Sequence, residues 1–208
     1  MTHIDHITIT APTLELGARL VEKSLGISPQ LGGEHPKMGT HNLFLRLGDS
    51  MFLEIIACNP DAQKPNRPRW FDLDRIKKDT PAQLRAWVVT TDNIHSSLDK
   101  SSEPVGEVEA MSRAHNNWLI TIPKDGRLPM NGAAPALIQW QVKEHPAQKL
   151  TDFGLSLSKL QVCHPDPERL LRLFSSIELQ DDIEVIKANE TKLTASINTP
   201  KGIRKLNL

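Results

Sequence analysis

IDHITIT (residues 4–10), GGEHPKMGTHN (32–42), LFLRLG (43–48) and MFLEII (51–56) are the segments whose reading decides the fold. In the first, side chains alternate: Ile7 and Ile9 share one face, and His6 and Thr8 share the other. Thr13 is a helix N-cap, after which Leu14, Ala18, Val21 and Leu25 recur at helical spacing. Gly26 then ends the helix. Gly32, Gly33 and Gly39 punctuate the approach to a strand over 42–47. Gly48-Asp49-Ser50 reads as a hairpin turn into a returning strand over 51–57. The order is strand, helix, three strands. Glu54 stands between Phe52 and Ile56 on one face, while Leu53 and Ile55 are left to pack beneath the helix. A histidine on the first strand and a carboxylate on the last are what a curved sheet needs for a small-molecule or metal site.

Further along the chain the order repeats. Residues 85–91 read as a strand, Asp92 as the cap of a short helix through Leu98, and 105–113, 118–122 and 136–142 as three strands. The connection between the copies is long, charged and rich in proline, and Trp70, Leu73 and Ile76 sit in it at helical spacing. A long connection of this kind is suited to covering a site. The expected organisation is a first βαβββ module over 1–60, a connection with a short helix over 61–83, and a second module over 84–145. A βαββ extension over 150–208 completes it. In that extension Asp166-Pro167-Glu168 starts a helix with Leu170, Phe174 and Ile177 as its apolar stripe. Residues 182–188 and 192–197 read as a closing hairpin, and Lys201, Arg204 and Lys205 as a solvated tail. The fold class is α+β, with both modules joined in one curved mixed sheet around a central cleft.

Composition narrows the function. The 208 residues carry 25 lysines plus arginines and 25 aspartates plus glutamates. With no net charge and no charged block, neither nucleic acid nor a strongly charged protein is expected as partner. No apolar run approaches the roughly 20 residues that span a bilayer, and the N-terminus has no leader pattern. The two cysteines, Cys58 and Cys163, form no CxxC pair, which excludes zinc-ribbon and thioredoxin readings and fits reduced thiols in a cytoplasmic protein. No phosphate-binding loop, dinucleotide fingerprint or GxSxG elbow occurs. The expected partner is a small-molecule ligand, and the chain is a monomer or homodimer.

The segments quoted above, with EKSLGI (22–27), FLEIIACNPD (52–61), LRAWVVTTD (84–92), MSR (111–113) and ALIQW (136–140), resemble the glyoxalase-like domain proteins of the vicinal oxygen chelate superfamily. Gly33–Asn42 is the most specific block. The resemblance implies the paired-module cleft. It also implies a divalent metal ion bound through His6 and Glu54, with open positions for substrate oxygens. At the corresponding positions of the second module stand Trp87 and Gln139, which leave the metal set incomplete unless His35, His41 or His115 completes it. The competing reading is that His6 and Glu54 hydrogen-bond to each other or to an organic ligand.

Around that pair the candidates are His6, Glu54 and His35 for proton transfer, and Thr40, Asn42, Trp87, Arg113 and Gln139 for binding. An imidazole titrates near neutral pH, which suits His35 to general-base work; its alternative is a hydrogen-bonded structural loop. The fork of Arg113 suits a carboxylate or phosphate or a structural salt bridge, as does that of Arg46. Trp87, Trp118 and Trp140 are suited to lining an apolar pocket; Trp118 and Trp140 also read as ordinary core, and Trp87 as a ring that fills the metal volume or stacks on a flat ligand. Two functions follow. One is a lyase or isomerase acting on an oxygenated small metabolite. The other is a non-catalytic, metal-free protein that binds or sequesters a small apolar or aromatic compound.

Overall fold

The computed structural model describes residues 1–113 and 116–206. The chain runs β1 (Thr2–Thr10), α1 (Leu14–Leu25), β2 (Gln30–His35), β3 (Thr40–Gly48) and β4 (Met51–Cys58), then β5 (Gln83–Thr91), α2 (Ile94–Lys100), β6 (Glu107–Arg113), β7 (Asn116–Ile122) and β8 (Ala136–Trp140). These eight strands form one sheet in the order β2-β3-β4-β1-β5-β8-β7-β6. Each module pairs its first strand in parallel with its last, and β1 against β5 joins the two antiparallel. The sheet curls far enough that its edge strands β2 and β6 touch. One face of the curl is a hydrophobic core against α1, with Ile7, Ile9, Leu53 and Ile55 buried there. The other encloses the cleft.

Local signals account for the helix ends. Thr13 Oγ1 accepts the Leu16 N–H at 3.3 Å. Gly26 closes α1 at φ 74°, a left-handed position glycine takes without a Cβ clash. At α2 the cap is Asn93 rather than Asp92; its side chain accepts the Ser96 N–H at 3.0 Å. The expected helix in the connection is a single 3-10 turn, Leu73–Arg75.

The C-terminal strands form a second sheet. They are β9 (Ser156–His164), β10 (Ile183–Lys187), β11 (Lys192–Thr199) and β12 (Gly202–Leu206), with α3 (Pro167–Ser176) between β9 and β10. Their order, β10-β9-β11-β12, rules out the expected β10–β11 hairpin. The α3 crossover instead returns β10 parallel to β9, as a helical connection allows and a tight turn does not. Nor is the basic end a free tail: Arg204 and Lys205 lie in β12, paired with β11 and set against α1, with Leu206 buried. Lys201, Arg204 and Lys205 are solvent-exposed as expected, but Arg204 and Lys205 sit on a paired strand rather than a free tail. Among the described residues no helix is long and apolar enough to cross a membrane.

Candidate functional site

The site begins with an irregularity in β1. Opposite β5, Ile4 pairs with Val89 and His6 with Val88, so Asp5 is an extra residue in the ladder. Such a bulge resets the alternation of side chains. Ile4 joins Ile7 and Ile9 in the helix-side core, while Asp5 contacts His6 on the cleft side. Strict alternation assigns Asp5 to the opposite face, which is why sequence reasoning misses it.

Asp5 is fully buried and is the acceptor for three side-chain donors. Its Oδ1 lies 2.6 Å from His6 Nδ1, and its Oδ2 accepts Trp140 Nε1 at 2.7 Å and lies 3.0 Å from His145 Nε2. Burial by itself raises a carboxyl pKa, but the hydrogen bonds from His145 and His6 outweigh it and hold Asp5 at about 2. The carboxylate fixes the ring of His6, which lies flat on Phe52 with centroids 4.5 Å apart and planes at 10°. His6 Nε2 is thereby turned toward Glu54 Oε2, at 3.7 Å.

Glu54 is held from two further sides. Asn42 Nδ2 donates to Oε1 at 2.7 Å, and Thr8 Oγ1 lies 3.4 Å from Oε2. Asn42 in turn accepts the Gly33 N–H at 2.9 Å and Arg113 Nη1 at 3.0 Å. Arg113 arrives from the opposite edge strand and lies over the Phe44 ring at 5.1 Å. Burial lowers its pKa and the nearby Glu54 charge opposes that; a guanidinium remains cationic through such shifts. With Asn42 taking one N–H, the fork keeps other donors for a ligand anion.

His35 lines the same cleft, edge-on to Trp70 at 5.0 Å and Trp118 at 6.0 Å. Its Nδ1 is 3.1 Å from Thr40 Oγ1, which also accepts Trp70 Nε1 at 3.3 Å. Thr40 thus stands behind the cleft wall, holding His35 and Trp70. Burial, reinforced by the charges of Arg113, His41 and His6, lowers the His35 pKa to about 3. Burial thus favours the neutral imidazole, which can donate or accept a hydrogen bond.

Trp87 and Gln139 are not in the cleft beside His6 and Glu54. Trp87 pairs with Ile7 and shares its face. Its Nε1 donates to the Ala133 carbonyl at 3.0 Å and its ring meets Phe174 edge-on at 5.4 Å. Gln139 turns to α2, where its Oε1 accepts the Ile94 N–H at 3.0 Å. A one-residue error in strand phase moves a side chain to the other face of a sheet. The cleft-side residues in the second module are Ala86, Val88, Ile138 and Trp140. Of the two readings open for Trp118 and Trp140, core or pocket lining, the cleft lining is where they stand. Arg46 is structural, paired with Asp49 and donating to the Leu150 carbonyl at 3.5 Å.

This donor set does not fit the divalent metal expected at His6 and Glu54. The second module faces the pair with hydrocarbon and indole, so only His6 Nε2 and the Glu54 carboxylate are on offer. Among the described residues no group of three or more histidine, cysteine, aspartate or glutamate side chains is arranged to hold a metal. His41 lies on the face of β3 opposite Asn42, and His115 lies outside the described residues.

The inner cavity measures about 40 Å³, room for about three water molecules. The chain has five phenylalanines and four tryptophans, and all but Trp87, Phe153 and Phe174 line this small space. A second cavity of about 120 Å³ shares Phe44, Phe52, Arg113 and Pro146 with it and continues to Leu31, Asn116 and Lys149. A larger open groove, about 990 Å³, lies between the start of β5 and the 188–193 segment and contains none of the cleft residues.

A family model described as a glyoxalase-like domain matches residues 4–177. No curated protein matches the chain in sequence. Among solved structures, a hypothetical protein from Staphylococcus aureus superimposes with a TM-score of 0.64 at 13% identity, covering 92% of this chain and 88% of its own. It shares the fold. Methylmalonyl-CoA epimerase in complex with methylmalonyl-CoA and NH4+ gives 0.45 at 16% identity, covering 70% of this chain and 99% of its own. Methylmalonyl-CoA epimerase from Mycobacterium tuberculosis gives 0.43 at 13% identity, with coverage of 66% and 85%.

Proposed function

Because the chain belongs to the glyoxalase-like domain family of the vicinal oxygen chelate superfamily, we propose that its cleft moves a proton on a flat, oxygenated, anionic small molecule, as an isomerase or lyase. The observation that carries this reading is the 3.7 Å approach of His6 Nε2 to Glu54 Oε2 in a buried space that Arg113 also lines. At 3.7 Å the carboxylate and the imidazole do not hydrogen-bond directly, and each can reach a ligand atom seated beside both to take or return a proton. Arg113 anchors the ligand's carboxylate through its remaining N–H groups. Glu54 takes a proton from the carbon beside a carbonyl and returns it elsewhere on the same molecule, so the isomerisation is balanced without a co-reactant. His35, neutral, donates or accepts a hydrogen bond at a ligand oxygen. Asn42 holds Glu54 and Arg113 in register, and no step needs a metal.

The aromatic walls favour a planar, arene-bearing ligand over an aliphatic one, one that reaches from the inner cavity into the adjoining space of about 120 Å³ past Arg113. They also support the second reading, a non-catalytic binder of a small aromatic compound. Incubation in deuterium oxide with arylpyruvates and matched aliphatic 2-oxo acids, followed by proton NMR, separates the two. Proton transfer predicts deuterium at the carbon beside the carbonyl, with at least a hundredfold slower exchange in Glu54→Gln. Tryptophan quenching by an arylpyruvate with no exchange in any compound establishes the binder instead.

A further inference from the structure

The segment that joins the eight-stranded sheet to the C-terminal sheet passes over the cleft. Its 3-10 turn, Pro146–Lys149, puts Pro146 in the cleft wall and buries Ala147 against Phe44 and Phe52. His145 caps this turn: its Nδ1 accepts the Ala147 N–H at 3.2 Å. That bond settles the tautomer, because a ring nitrogen that accepts carries no hydrogen. The hydrogen is therefore on Nε2, which donates to Asp5 Oδ2 at 3.0 Å. The other oxygen of the same carboxylate holds His6 Nδ1 at 2.6 Å. The ring of His145 also lies 5.9 Å from that of Phe52, the ring on which His6 stacks.

We propose that His145 is a positioning residue: it seats the 146–149 turn over the cleft and, through Asp5, holds His6 with Nδ1 protonated and Nε2 facing Glu54. Seating the turn and aiming the imidazole are thus linked through one carboxylate, whose Oδ2 His145 shares with Trp140 Nε1 at 2.7 Å. This rests on the proton-transfer reading only for its consequence in turnover; the geometry is tested separately.

The test uses the full chain labelled with nitrogen-15 at histidine, as wild type, His145→Ala and His145→Gln. The wild type is expected to give a His6 Nδ1 signal bearing a proton that exchanges slowly with solvent. His145→Ala is expected to speed that exchange at least tenfold, and His145→Gln, which keeps an N–H for Asp5, to restore the slow signal. An unchanged His6 signal in folded His145→Ala overturns the proposal. If His145→Ala does not fold, His145→Phe, which keeps a ring but no N–H for Asp5, decides: faster exchange of the His6 proton supports the proposal, and an unchanged signal in the folded protein overturns it. The signal needs no turnover, so absence of deuterium exchange into arylpyruvates would end the proton-transfer reading and leave this result standing.

Discussion

Asp5 and His6 are neighbours in one strand, yet their side chains meet on the same side of the sheet, Oδ1 to Nδ1 at 2.6 Å. Only the extra residue in the β1–β5 ladder permits this. The contact has a thermodynamic signature. Asp5 is held at about 2 in the fold against 3.8 ordinarily. A depressed carboxyl contributes stability that is complete above the unfolded value and is lost as pH falls through the folded one. Wild type is therefore expected to lose about 2 kcal/mol between pH 4 and pH 2 beyond what Asp5→Asn loses. Urea unfolding of both proteins across that range measures the difference, and parallel curves would contradict it.

His35 acts at higher pH. Its pKa falls from 6.5 to about 3 on folding. The unfolded chain thus takes up a proton between those values that the folded chain refuses, and stability declines as pH drops. The expected slope is about 1.4 kcal/mol per pH unit between pH 6 and pH 4. His35→Gln, which keeps a partner for Thr40, is expected to remove that slope. The same urea titrations read it out.

Gly32 is a steric requirement of the cleft. A Cβ there meets Asn42 Oδ1 at 2.1 Å and its carbonyl oxygen at 2.8 Å, with the Phe44 ring at 2.6 Å. Gly32→Ala is expected to cost about 1–3 kcal/mol and to displace the amide that bridges Glu54 and Arg113. Thermal unfolding gives the first effect, and loss of arylpyruvate quenching gives the second. Unchanged binding in the folded variant would count against the Asn42 bridge.

Tryptophan substitutions separate cleft from core. Trp87→Phe leaves the Ala133 carbonyl without its donor and is expected to cost about 1–2 kcal/mol while ligand quenching persists. Trp118→Phe is expected to reduce quenching by an arylpyruvate at little cost in stability. The reverse pattern would return Trp87 to the cleft.

Much of this architecture was legible along the chain because its causes are local. The alternation of β1 and β4, the Thr13 cap and the left-handed Gly26 depend on residues a few positions apart. The repeat of strand, helix and three strands was visible in the order of elements, though the two copies share little sequence. His6, Glu54, His35, Asn42 and Arg113 were candidates by residue type, and in the fold they line one cavity. Trp87 and Gln139 went to the wrong face because phase in a strand is set by its partners. β5 is displaced by one residue where Arg85 interrupts its pairing with β1. His145 and Trp140 carried no signal linking them to Asp5, since they stand 140 and 135 residues away along the chain.

What the amino-acid sequence determined by itself was the inventory of strands and helices and the residue types available to the cleft, since periodicity, caps and turns are short-range. Tertiary structure alone decided which of those residues meet. A bulge chose the face of Asp5, and strand order paired β10 with β9. Closure of the curled sheet carried Arg113 across to Asn42, because long-range contacts depend on register and curvature that no local segment encodes.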